Sequence, residues 1–152
     1  MVLLLAMLAA SDAKPQRLTR AQSAATARNR ALVAGINTLR AAHGLPRLGV
    51  DLTLARAASA HSHDMLRRGY FGHADFLARM LRFHVRGRLF EENLAWSIGA
   101  PSARRTIADW LASPPHRETL FDPKLRRIGV ASPTGPFNGF AAATVVTADF
   151  AG

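Results

Sequence analysis

The order of elements along the chain predicts an α+β fold. Helical periodicity dominates through Leu111, strand-like runs at Ile128–Ala131 and Phe140–Phe150 come last, and no βαβ alternation intervenes. The 152 residues are 49% hydrophobic and 20% charged, enough for one real core and unlike a disordered chain. With no cysteine, a disulfide scaffold, a thiolate metal site and a cysteine nucleophile are all excluded.

Met1–Ala13 has an apolar core, Val2–Ala10, followed by small residues of the kind a signal peptidase reads. Nine residues are too few to span a bilayer, so residues 1–13 read as a signal peptide or its remnant and the chain as exported. Lys14 to about Ser23 is polar and aperiodic, and the linker is drawn over 14–27. The single domain then occupies 28–152.

Ala24–His43 reads as a helix, with Leu32, Ile36 and Leu39 on one face. Gly44 and Pro46 stop it. Asp51 N-caps a second helix to Gly69, with Leu54, Ala58, His61 and Met65 along its stripe. Asp75 caps a short third helix to Phe83. Glu91–Ile98 reads as a strand, and Pro101-Ser102 opens a helix placing Ala103, Ile107, Trp110 and Leu111 on one face. Pro114-Pro115 is expected to end it. The segment Pro133–Gly139 is expected to be a turn between the last two strands.

Twenty Lys+Arg against ten Asp+Glu give a net charge of +10. Eighteen of the twenty are arginine and alanine is abundant, as GC-rich coding produces without any binding role. The arginines are dispersed, and Arg79, Arg82, Arg86 and Arg88 form the densest stretch. An anionic polymer is therefore a candidate partner, whereas specific nucleic-acid recognition has no motif behind it. Nucleotide fingerprints, a His-Glu-x-x-His helix and a Gly-x-Ser-x-Gly elbow are absent.

His61 and His63 point about 200° apart on a helix and cannot share an ion. His61 reads as a hydrogen-bonded core histidine, and His63 and Asp64 as solvent-facing. His73 leaves a helix end after Tyr70-Phe71, and His116 sits behind two prolines, both at loop positions where site residues collect. Glu91 and Glu92 open an apolar segment in which an inward acid needs a partner. A Ser113–His116 dyad is disfavoured by the prolines between them. Periodicity alone does not bring His73, Glu92 and His116 together.

Several motifs in order resemble the CAP/SCP superfamily in its bacterial, cysteine-free form. They are Ile36-Asn37-x-x-Arg40, Gly44-Leu45-Pro46, Asp51-x-x-Leu54, Ala58-x-x-His61-Ser62-x-Asp64-Met65 and Gly69-Tyr70-Phe71-x-His73 with Arg79. Glu92-Asn93-Leu94-Ala95, Trp110-x-x-Ser113-Pro114-x-His116-Arg117, Leu120, Ile128-Gly129-Val130 and Thr147-x-Asp149-Phe150 complete the run. The resemblance implies an α-β-α sandwich, with helices on both faces of a small antiparallel sheet. It also implies a cleft carrying His73, Glu92 and His116, with Ser113 where many members have a second glutamate. In some members the two histidines hold a divalent ion, so His73 and His116 are the expected metal ligands and zinc the expected cofactor. Glu91 replaces a usual glycine and is expected to face solvent.

The leading functional reading is a secreted or cell-envelope binding module for an apolar, lipid-like or envelope ligand. The alternatives are a metal-dependent hydrolase, with Glu92 acting on an ion-bound water, and an electrostatic binder of anionic polymer.

Overall fold

The computed structural model describes residues 18–152; the leader expectation falls outside them. The first helix, α1 (Arg20–Ala42), begins four residues before the apolar pattern does and takes in most of the expected linker. A capping box explains the early start. Thr19 Oγ1 accepts from Gln22 N at 3.2 Å, and Gln22 Oε1 accepts from Thr19 N at 2.8 Å, so two otherwise orphaned N–H groups are satisfied.

A short strand, β1 (Gly49–Val50), precedes α2 (Leu52–Arg68). Asp51 caps α2 as expected, accepting from Thr53 N and Leu54 N at 2.7 and 3.1 Å. Gly69 ends it at φ 66°, a left-handed conformation that a Cβ would disfavour. Asp75 Oδ1 caps α3 (Phe76–Arg82) through Ala78 N. Then come β2 (Phe90–Ile98) and α4 (Ala103–Ala112).

Pro114-Pro115 does not leave the chain as loop. The two prolines occupy the first turn of another helix, α5 (Pro114–Phe121), and Ser113 is both the C-cap of α4 and the N-cap of α5. Proline is at home there because first-turn N–H groups have no intrahelical acceptor. His116 therefore lies in the first turn of a helix. The expected turn at Pro133–Gly139 is also partly strand: β4 (Thr134–Phe137) pairs with β5 (Phe140–Ala151). Only Asn138 and Gly139 turn, at φ 49° and 83°, the two-residue hairpin suited to sheet twist. Pro136 sits on this edge strand, where the register shifts and a missing N–H costs little.

The main sheet runs β1-β3-β5-β2, with β3 (Arg127–Ala131) beside β5 and β2 on the outer edge. All pairings are antiparallel except β1 with β3. Alternation along β5 divides two cores. Val146, Ala148 and Phe150 pack with Leu32, Ile36, Trp110 and Leu120 of α1, α4 and α5. Val145 packs with Met65 of α2 on the other face, and Ala151 packs with Leu54 and Met80. The α-β-α sandwich is thus what these strand faces demand. Gly129 lets α2 press onto β3, since a Cβ there would meet Ala55 N at 2.1 Å.

Candidate functional site

Register builds the site. On β2, Glu92 lies directly opposite Asp149 of β5, and Asp149 is in turn opposite Gly129 of β3. Glu92 thus points to the α2–α3 side, and its side chain is 2% exposed. Arg79, buried on α3, donates through Nη2 to Glu92 Oε2 and reaches Asp149 Oδ1 at 3.5 Å. Its Nη1 donates to the His73 carbonyl at 3.3 Å. His73 itself donates from Nδ1 to Glu92 Oε1 at 2.7 Å. His61 completes the cluster: Nε2 donates to Gly72 O at 2.9 Å and lies 3.8 Å from Glu92 Oε2.

One guanidinium faces two buried carboxyls, so Arg79, Glu92 and Asp149 balance in charge when one carboxyl keeps a proton. Burial pushes Glu92 up to about 7 against the pull of Arg79. Burial and repulsion from Glu92 push Asp149 up to about 8. Bonding decides where the proton sits. Glu92 accepts from both Arg79 and His73, whereas Asp149 meets Arg79 only at 3.5 Å and is turned to the Glu92 carboxyl, an interaction that favours its protonated form. Donors to a carboxylate favour its charged form, so Glu92 is the anion and Asp149 carries the proton. His61 is held neutral, its pKa lowered to about 4 by burial and then by the charge of Arg79.

The second histidine arrives from the opposite layer. Asn93, next to Glu92 but facing α5, donates from Nδ2 to the His116 carbonyl at 3.0 Å. His116 is half-buried, and its pKa is lowered by burial and then by the charge of His73. The His73 ring is thus held on Glu92 and the His116 backbone on Asn93, two consecutive residues of the sheet's edge strand. Ser113 stands one turn before His116, half-buried, with a hydroxyl that makes no capping bond.

Some expectations change here. Glu91 does not face solvent. It is half-buried toward α5, where burial raises its pKa while a hydrogen bond from Thr119 opposes the rise. Arg79 does not belong to a surface patch, being the buried counterion of Glu92 and a contact of Asp149. Asp64 is only partly exposed, because Tyr70 Oη donates to it at 3.0 Å and Arg67 and Arg68 flank it. His61 is a core histidine as expected, yet it also belongs to the Glu92 cluster. His61, Arg79 and Asp149 had no assigned site role from sequence. The one signal was a charged residue set in an apolar run, as with Asp149 between Ala148 and Phe150.

A cavity of about 700 Å³ lies beside this cluster, between α2 and α3. His61, Arg79, Tyr70, Arg67, Arg68 and Arg82 are on its walls, and neither His73 nor His116 is.

A family model described as the cysteine-rich secretory protein (CAP) family matches residues 33–150. The chain belongs to this family. Its CAP domain is 29% identical over 126 residues to the uncharacterized protein YkwD of Bacillus subtilis (strain 168), covering 80% of this chain and 48% of that protein. The chain thus spans about half the length of this curated relative. Among solved structures, an extracellular SCP-domain protein of Bacillus anthracis aligns over 90% of this chain and 45% of its own, at TM-score 0.74 and 24% identity. An outer surface protein of Borrelia burgdorferi aligns over 79% of this chain and 90% of its own, at TM-score 0.66 and 24% identity. These likenesses show the fold. No helix among the described residues is long and apolar enough to cross a membrane.

Proposed function

We propose that this CAP domain is an extracellular binding module whose cleft takes an exchangeable divalent cation, zinc foremost, through His73 and His116. The observation that carries this reading is the 2.7 Å bond from His73 Nδ1 to Glu92 Oε1. A carboxylate on one imidazole nitrogen fixes ring and tautomer and leaves the other nitrogen's lone pair for a metal. The lowered pKa of His116 keeps that ring in its neutral, ligating form. Among the described residues no group of three or more His, Cys, Asp or Glu is arranged to hold a metal ion. Two imidazoles therefore suit an open site that exchanges its ion, with a ligand atom or water completing the shell. An envelope-derived or lipid-like ligand carrying such an atom is the class of partner this predicts.

The hydrolytic alternative is less well supported. Both oxygens of Glu92 are occupied, by His73 and Arg79, and the side chain is almost wholly buried. That makes Glu92 a positioning residue, with neither oxygen free to deprotonate water.

Calorimetric zinc titration of the purified chain tests the reading. Binding is expected at neutral pH and should fade as pH falls through about 6.5, where imidazoles protonate. His73→Ala and His116→Ala should each abolish it, and Glu92→Gln should weaken it about 10–100-fold. Zinc uptake unchanged in both histidine variants would overturn the assignment.

A further inference from the structure

From Phe76 to Phe90 the chain carries four arginines and a histidine and no acid. Arg79 is turned inward, and Arg82, Arg86 and Arg88 are exposed together with His84. Beside them, α3 presents Leu77 and Leu81 to solvent, 58% and 65% exposed. Four residues apart, the two leucines stack on one face of the helix. Packing does not require them there, because Phe76, Met80, Phe83 and Val85 supply this segment's contacts with the core. The basic rim continues across the neighbouring cavity, where Arg82 on α3 faces Arg67 and Arg68 on α2. The nearby acids are already engaged: Asp64 by Arg67, Arg68 and Tyr70, and Asp75 by its capping bond to Ala78 N.

An apolar pair bordered by arginines that make no salt bridge among the described residues matches a surface that is anionic outside and apolar just beneath. That is the layering of a bilayer with acidic headgroups. A soluble polyanion would engage the arginines and leave both leucines in water.

We propose that α3 and the loop to Arg88 dock this domain on an anionic lipid surface. Leu77 and Leu81 enter the boundary between headgroups and acyl chains, and Arg82, Arg86 and Arg88 meet the lipid phosphates. The net charge of +10 draws the chain toward such a surface before contact. This face is distinct from the His73–His116 cleft, so it stands or falls independently of the cation reading.

Co-sedimentation of the full chain with phosphatidylcholine vesicles, with and without phosphatidylglycerol, tests it. Binding is expected only with phosphatidylglycerol and should weaken with salt. Each arginine near an acidic membrane strengthens binding about fivefold. Arg82→Gln/Arg86→Gln/Arg88→Gln should therefore weaken it roughly 100-fold. Leu77→Ser/Leu81→Ser should weaken vesicle binding by about 10-fold or more while leaving heparin binding unchanged. All five side chains are exposed, so both variants are expected to keep the parent melting temperature. If the leucine variant binds vesicles as tightly as the parent, simple charge adsorption or the Val2–Ala10 run is responsible and the proposal fails. It fails equally if the parent ignores phosphatidylglycerol, or is a dimer that the leucine variant turns into monomer.

Discussion

Arg79→Met is expected to destabilise the domain by about 3–5 kcal/mol at neutral pH, as breaking a buried ion pair from one side does. The guanidinium is the charged partner of both Glu92 and Asp149. Methionine would keep much of the packing against Phe76, over whose ring the guanidinium carbon sits at 5.2 Å, and would remove the charge. With Asp149 already protonated, the substitution would leave Glu92 a buried charge without its cation, and burial would then favour its protonated form. Glu92 would then cease to be an anion, and His73 would lose its acceptor. The deficit should therefore shrink on acidification, because the cost of the extra proton that the folded variant holds falls with each pH unit nearer the ordinary carboxylate range. Urea denaturation at pH 7 and pH 5 measures this. A deficit below about 1 kcal/mol at pH 7, or one equal at both values, would count against the charge arrangement.

Arg40→Met should cost a comparable amount for a different reason. Arg40 is fully buried on α1, and all its acceptors are backbone carbonyls. Nε donates to Pro46 O at 2.9 Å, Nη1 to Leu120 O and Asp122 O at 3.0 Å each, and Nη2 to Leu125 O at 3.4 Å. Two of these carbonyls lie at the end of α5, where the helix dipole favours a cation. Methionine fills much of the volume and removes these donors, at about 1–3 kcal/mol for each carbonyl left buried and unpaired. Partial rewetting should limit the total to roughly 3–5 kcal/mol. The loss should be focused where those carbonyls are. Hydrogen exchange should accelerate most across residues 119–126, and uniform acceleration or none would speak against this role.

Local chemistry was legible wherever one residue decides one feature. Asp51 and Asp75 cap helices because a short carboxylate beside an apolar-periodic run has free N–H groups within reach. Gly69 ends α2 because it alone enters the left-handed region freely. The same locality misled at Pro114-Pro115, since proline blocks a helix interior but suits its first turn, and only tertiary packing of Leu120 distinguishes the two. Likewise Pro136 hid β4, because edge placement cannot be seen in a single segment. Glu92, His73 and His116 were legible through the family resemblance, not through spacing. The charge cluster beneath them was not. Arg79 and Asp149 are 70 residues apart, and the register that sets Asp149 opposite Glu92 is a property of the sheet. An arginine on a basic stretch reads as surface until its acidic partners are located.

One proton organises the site: Asp149 holds it so that Glu92 can stay charged between Arg79 and His73. In the folded chain the carboxyl pair holds on Asp149 a proton that the unfolded chain releases near 4, so the pair lowers stability as pH rises from about 4 toward 8. His61 and His116, with lowered pKa values, act in the opposite sense below about 6.5. Above that, the histidines no longer offset the carboxyl pair. The direct measurement is a pH titration of the Asp149 side-chain carbonyl by ¹³C NMR, assigned with Asp149→Asn. Asp149 is expected to be protonated at pH 6 and to lose its proton only around pH 8. An Asp149 that titrates near 4, as an ordinary aspartate does, would refute this placement of the proton.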